Sequence, residues 1–165
     1  MKHTGAQSVK LEGGKEFAET IYFLSQRGVP VMGHIGLMPQ RIQTLGGFLT
    51  QGKTQETSKQ VIEDAKAIID AGVFSMVIEA VPEKTSNIIT KNSEIPTIGI
   101  GAGRTCDGQI LVAHDILGLY GDFTPKFVKK YAEIDKRITD AVTQYADDVR
   151  NKEFPTKNNI FKASI

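Results

Sequence analysis

Short apolar or β-branched runs alternate along this chain with longer segments whose apolar residues recur at helical spacing. Runs at 8–11, 29–33, 74–78 and 96–100 predict strands, and a less regular run at 119–123 predicts a fifth. Phe17, Ile21 and Leu24 mark a helix that stops at Gly28; Val61, Ala65, Ile68 and Ile69 mark a second, ended by Gly72. Pro82 opens a third helix, with Glu83 favourably placed against the positive end of its dipole. A short fourth covers 110–117, and Ile134, Ile138, Ala141, Val142, Tyr145 and Val149 form the stripe of a fifth. From Asn151 onward the chain is polar and reads as loop.

Alternation of strand and helix predicts βαβ units and a parallel sheet. The strands are nearly all apolar, which predicts cover on both faces. The longest irregular stretch, 36–55, is rich in Gly, Gln and Thr and follows a strand; a loop of that length is commonly functional or disordered. No repeat and no low-complexity linker interrupts the pattern, so 1–150 reads as one domain and 151–165 as a tail.

Composition narrows the class of function. The 165 residues are 40% hydrophobic and 24% charged, enough for a core without disulfide or metal staples. A net charge of +1 gives no electrostatic basis for nucleic acid or a membrane surface, and lysines and acids are interspersed. Cys106 is the single cysteine, which excludes an intrachain disulfide and fits a reducing cytosol. No apolar run approaches the ~20 residues needed to span a bilayer. A cytoplasmic protein is the expectation.

The chemistry concentrates just after the strands. The first run leads into Lys10, Glu12, Gly13 and Gly14; the second delivers Gly33-His34-Ile35-Gly36; the third ends at Glu79; the fourth opens into Gly99-Ile100-Gly101-Ala102-Gly103. In α/β folds ligands bind at the carboxyl ends of the strands, where side chains stand on rigid elements. Each residue also has a plainer reading. Lys10 and Glu12 share a strand face and can form a simple surface ion pair. His34 can do no more than bond a backbone carbonyl. Glu79 carries the sharpest signal, because a carboxylate directly after Met76-Val77-Ile78 is costly to bury unless paired, protonated or catalytic. Gly99-x-Gly101-x-Gly103 with Arg104 following is an incomplete dinucleotide fingerprint, open to close packing or an anion nest. Cys106 and His114 have no catalytic partner near them in sequence, and no zinc-type spacing is present.

Together these segments resemble a known family. Val9-Lys10-Leu11-Glu12-Gly13-Gly14, Val31-Met32-Gly33-His34-Ile35-Gly36-Leu37-Met38-Pro39-Gln40, and Gly99 to Gly103 followed by Cys106-Asp107-Gly108-Gln109 are similar to ketopantoate hydroxymethyltransferases. Gly46-Gly47-Phe48, Gln51-Gly52, Val77-Ile78-Glu79-Ala80-Val81-Pro82 and Pro125-Lys126-Phe127 agree in order along the chain. The resemblance implies an α/β fold, an incomplete (β/α)8 barrel of about five parallel strands with flanking helices, since a whole barrel takes ~250 residues.

It also implies transfer of a hydroxymethyl group from 5,10-methylenetetrahydrofolate to 3-methyl-2-oxobutanoate through an enolate held by Mg²⁺. In that scheme Glu79 is the base, Lys10 and His34 bind substrate, and Glu12 serves the metal. The family's N-terminal strands, with two metal-binding aspartates and a serine, have no counterpart before Lys10. A homo-oligomer or a complementary N-terminal chain is the implied partner. A catalytically silent remnant acting as an interaction module is the alternative, and a small doubly wound domain binding phosphate at Gly99 to Gly103 is a third reading.

Overall fold

The structure is a computed structural model that describes residues 3–38, 50–120 and 124–161. Five strands form one parallel sheet: β1 (Val9–Glu12), β2 (Val31–Gly36), β3 (Ser75–Glu79), β4 (Thr97–Ile100) and β5 (Gly108–Gln109). Their order in space is their order in the chain. A sheet wound in one sense with no reversal offers no switch point of the doubly wound type. That removes the geometric basis for a doubly wound domain with phosphate at Gly99 to Gly103.

Helices fill the connections. A 3-10 turn (Lys15–Phe17) leads into α1 (Ala18–Ser25); α2 (Gln55–Asp70) and α3 (Glu83–Lys91) follow β2 and β3. The start of α2 is sealed by a capping box: Thr54 Oγ1 accepts from Thr57 N at 3.2 Å while Thr54 N donates to Thr57 Oγ1 at 3.0 Å. Register fixes which residues share a face. Leu11 pairs with Gly33 and Gly33 with Met76; Ile35 pairs with Ile78 and Ile78 with Gly99. That face meets the helices. Val31, Ile35, Met76 and Ile78 form one buried cluster with Ile21 of α1, Val61, Ala65 and Ile68 of α2, and Ile89 of α3. Gly33 marks the closest approach, since a Cβ there would sit 2.5 Å from Ile68 Cδ1.

The second face is different. Lys10, Glu12, Met32, His34, Ser75, Val77, Glu79 and Ile98 alternate with the core residues and line it. Met32, Val77 and Ile98 are half-buried and do not join the core cluster. Among the described residues of 1–110, the helices pack on the first face, and the second face holds the polar side chains instead of a second apolar cluster.

The predicted strands shift in detail. Glu12 and His34 lie inside β1 and β2 rather than after them, because β2 runs on to Gly36. The fifth strand is Gly108–Gln109; Leu119 and Tyr120 are not in a strand, and the rest of the run expected at 119–123 lies outside the described residues. Residues 39–49 of the expected loop, with Gly46, Gly47 and Phe48, also lie outside them.

Two compact units divide the chain, 1–110 and 111–165. The second holds α4 (Ala113–Leu117) and α5 (Ile134–Arg150). The stripe predicted for α5 is helical, but Ile138, Val142, Tyr145 and Val149 are exposed, and Tyr145 meets Phe154 edge-on at 5.5 Å. No helix among the described residues is long and apolar enough to cross a membrane.

Candidate active site

Three adjacent strands bring Lys10, Glu12, His34 and Glu79 together on the second face. Register places Glu12 beside His34, and Glu79 two residues beyond the partner of His34 on the next strand. The imidazole is the hub. Its Nδ1 lies 3.3 Å from Glu12 Oε1 and 3.4 Å from Lys10 Nζ; its Nε2 lies 3.2 Å from Glu79 Oε2. Lys10 Nζ donates to Glu12 Oε1 at 2.9 Å. The His34 side chain is 2% exposed, those of Glu12 and Glu79 14% and 15%, and that of Lys10 46%.

Two polar atoms of this group, Glu12 Oε2 and His34 Nε2, are buried without a hydrogen bond. Nε2 is within ion-pair distance of Glu79 but off the line a hydrogen bond requires. Burial pushes the Glu12 carboxyl up, yet the hydrogen bond and charge of Lys10, together with the neighbouring His34 ring, outweigh it and hold the carboxyl below its usual range. Glu12 is therefore an anion at neutral pH with one oxygen uncommitted.

Backbone geometry around Glu79 is tightly set. Gly36 has φ +92, where side chains are disfavoured, and a Cβ there would lie 2.2 Å from Glu79 O. The next amide, Leu37 N, donates to that same oxygen at 2.9 Å. Ala80 follows at φ +50, an uncommon conformation for alanine, and is held by bonds to Ile100 O and from Gln51 N. Strain of this kind gathers where surrounding structure over-determines the chain.

One participant was invisible in the sequence. Asp64 of α2 accepts a hydrogen bond from Lys15 N at 3.0 Å, pinning the turn that follows Glu12. Gly14 makes the approach possible, because a Cβ there would sit 2.2 Å from Asp64 Cγ. Burial raises the Asp64 carboxyl above its usual value despite that bond.

The remaining candidates stand apart. Gly103 packs on Glu83, and its carbonyl accepts from Gln109 Nε2 at 2.9 Å; Ser86 Oγ donates to Ala102 O, and Arg104 pairs with Glu83 at 3.2 Å. The glycine loop is thus occupied with packing. Cys106 is buried, which pushes its thiol up and away from the nucleophilic thiolate. His114 stacks on Tyr120 at 5.5 Å. A groove of about 420 Å³ between α2 and α3, lined by Ile62, Ile69 and Ile88 among others, opens on the helical side of the sheet and shares no residue with the four-residue cluster.

Residues 1–157 match the family model described as ketopantoate hydroxymethyltransferase. The chain belongs to the ketopantoate hydroxymethyltransferase family. It is 52% identical to the 3-methyl-2-oxobutanoate hydroxymethyltransferase of Rhizobium etli over 162 residues, 98% of this chain and 59% of that protein. It is 54% identical to the one from Oleidesulfovibrio alaskensis over 157 residues, 95% of this chain and 54% of that protein. With the Pseudothermotoga lettingae protein it shares 50% identity over 163 residues, 99% of this chain and 62% of the relative. The chain spans about three-fifths of the length of the family members it matches.

Proposed function

We propose that the second face of the sheet carries part of an active site for hydroxymethyl transfer from 5,10-methylenetetrahydrofolate to 3-methyl-2-oxobutanoate, giving ketopantoate. The observation that carries this reading is the convergence of Lys10, Glu12, His34 and Glu79, from three strands, in a chain of this family. Glu79 serves as base and removes the proton from C3 of the keto acid. The electrons of that C–H bond move into the C2–C3 bond, and those of the carbonyl bond move to oxygen, giving an enolate. Lys10, half-exposed beside Glu12, is the cation available to that oxygen. Water adds to the one-carbon unit of the folate and both of its carbon–nitrogen bonds break, so that tetrahydrofolate leaves with two N–H bonds and the carbon is released as formaldehyde. The enolate carbon bonds to that carbon, the electrons of its C=O π bond move to oxygen, and the proton held by Glu79 completes the new hydroxyl.

In this family's chemistry Mg²⁺ would polarise the ketone and bind the enolate oxygen. Glu12 Oε2, buried and uncommitted, has the chemistry of one Mg²⁺ ligand. Among the described residues no group of three His, Cys, Asp or Glu can hold a metal. These residues do not form a Mg²⁺ site by themselves, and the proton transfer rests on Glu79 and Lys10. His34 walls the same pocket.

Five strands in sequential order with helices on one face are what consecutive units of a (β/α)8 barrel look like, and the second face would then be barrel interior. That interior and the two edge strands favour association with another copy or a complementary chain, in the cytoplasm. A second reading draws on the single metal-ligating oxygen: a catalytically silent member of the family that persists as an interaction module. Deuterium exchange at C3 of 3-methyl-2-oxobutanoate, followed by NMR in D₂O with Mg²⁺ present, separates the two. Exchange that is abolished by Glu79→Gln supports the enzyme. No exchange at saturating keto acid and metal sinks it and leaves the silent module.

A further inference from the structure

We infer that His34 is a positioning residue: it fixes the carboxylates of Glu79 and Glu12 relative to each other from inside the sheet, and does not itself touch the keto acid. The assignment of Glu79 as base rests on the function proposed above; the bridging itself does not.

An imidazole has two nitrogens, and both are directed at this cluster. Nδ1 faces Glu12 and Lys10, and Nε2 faces Glu79. The tautomer with its hydrogen on Nε2 lets Nδ1 accept from Lys10, which also donates to Glu12 Oε1 and so ties that carboxylate to the ring, and it turns the ring N–H toward Glu79, which can only accept when ionised. Burial points the same way. At 2% exposure the ring offers no surface to a ligand, whereas Lys10, Glu12 and Glu79 all keep some. The ring also stands on the most rigid part of the site. His34 is paired with Glu12 on one side and Val77 on the other, and its carbonyl accepts from Gly13 N at 2.9 Å. Glu79, by contrast, has a fixed main chain and a long side chain with three rotatable bonds. Its Oε2 resting against Nε2 is what the structure provides to select a rotamer. A base displaced by about 1 Å loses on the order of a hundredfold in rate, so such a contact matters to the chemistry without contacting substrate.

Two measurements on the full chain test this. The first is independent of activity: long-range ¹⁵N–¹H spectra of the His34 ring in wild type, Glu79→Gln and Glu12→Gln at one fixed pH. The bridge requires Glu79→Gln to shift the Nε2 resonance by more than its linewidth, and Glu12→Gln to shift Nδ1 in the same way. An Nε2 resonance indifferent to Glu79→Gln overturns the proposal. The second is the C3 exchange assay with His34→Gln and His34→Asn, both checked for native circular dichroism. Glutamine keeps a donor near the place of Nε2, whereas asparagine keeps one only near Nδ1. A positioning role predicts kcat down by about 10- to 100-fold in His34→Asn, restored to within about threefold of wild type in His34→Gln, with KM for the keto acid changed less than about twofold in both. A KM raised about tenfold with kcat kept makes His34 a substrate ligand and overturns the proposal. Absent exchange in wild type would defeat the functional reading alone, and the ring spectra would still decide the bridge.

Discussion

Met76 and Val77 are neighbours on β3 and point to opposite faces of the sheet. Met76 is fully buried among Ile21, Ile68 and Ile78, while Val77 is half-buried beside His34. The difference extends across β1, β2 and β3. The face that meets the helices is apolar, closely packed and without a charged residue in its core cluster. The other face carries a lysine, two glutamates and a histidine linked in a chain of ion-pair contacts, Lys10 to Glu12, Glu12 to His34 and His34 to Glu79. Stability is concentrated on one side and chemistry on the other, and the strict alternation of side chains keeps them separate. A substitution on the first face should act on folding; one on the second should act on function.

The sharpest way to break this contrast is to truncate the two neighbours in parallel. Met76→Ala removes a buried side chain from a dry cluster and is expected to cost about 2–5 kcal/mol. Val77→Ala removes two methyl groups from a half-exposed position and is expected to cost about 1 kcal/mol or less. Urea unfolding of both variants reads the difference. Equal losses would mean that the second face is packed as tightly as the first, and the division of labour would fail.

A smaller effect is expected where the two faces are stitched together, at the turn after Glu12. Gly14→Ala places a methyl group 2.2 Å from Asp64 Cγ, so the turn or the helix must move. Overpacking of this kind costs about 1–3 kcal/mol. Because the displaced turn directly follows Glu12, the Lys10–Glu12 pair should loosen with it. Unfolding free energy and C3 exchange should fall together in this variant, unlike in Met76→Ala, whose loss is confined to stability while the chain remains folded. A stable Gly14→Ala with full exchange would show that the turn does not hold the strand end.

The same contrast explains what could be read from the sequence. Four strands announce themselves because β-branched and apolar residues cluster at 8–11, 29–33, 74–78 and 96–100. Gly108–Gln109 does not, since a two-residue strand of glycine and glutamine is held by pairing with Ile98 and Gly99 and has no propensity of its own. Lys10, Glu12, His34 and Glu79 were legible as candidates because each interrupts or ends an apolar run. That the ring would lie between the two carboxylates was not, because register is a tertiary property. The polar character of the second face is hidden in the sequence for a related reason. The polar residues of the second face fall near the strand ends, so strands such as Val31-Met32-Gly33 look apolar throughout. Asp64 left no signal: it sits on a helix surface 49 residues from the backbone amide it caps, among other acidic residues such as Glu63.

Asp64 gives the smallest expected effect and the finest test. Removing its acceptor by Asp64→Ala leaves Lys15 N without its bond and should cost about 1 kcal/mol. Asp64→Asn is different, since the amide oxygen still accepts and no charge has to be buried. Burial raises the Asp64 carboxyl above its unfolded value. The native state therefore prefers the neutral form. Its stabilising contribution is complete below the unfolded pKa near pH ~4 and is lost as pH rises through the higher folded value. Asparagine carries no such loss. The unfolding free energy of Asp64→Asn minus that of wild type should accordingly increase with pH from about 3 to 7 and be zero or positive at neutrality. A difference that decreases over this range would show that the turn prefers the carboxylate, and that Lys15 N, rather than burial, sets the balance at Asp64.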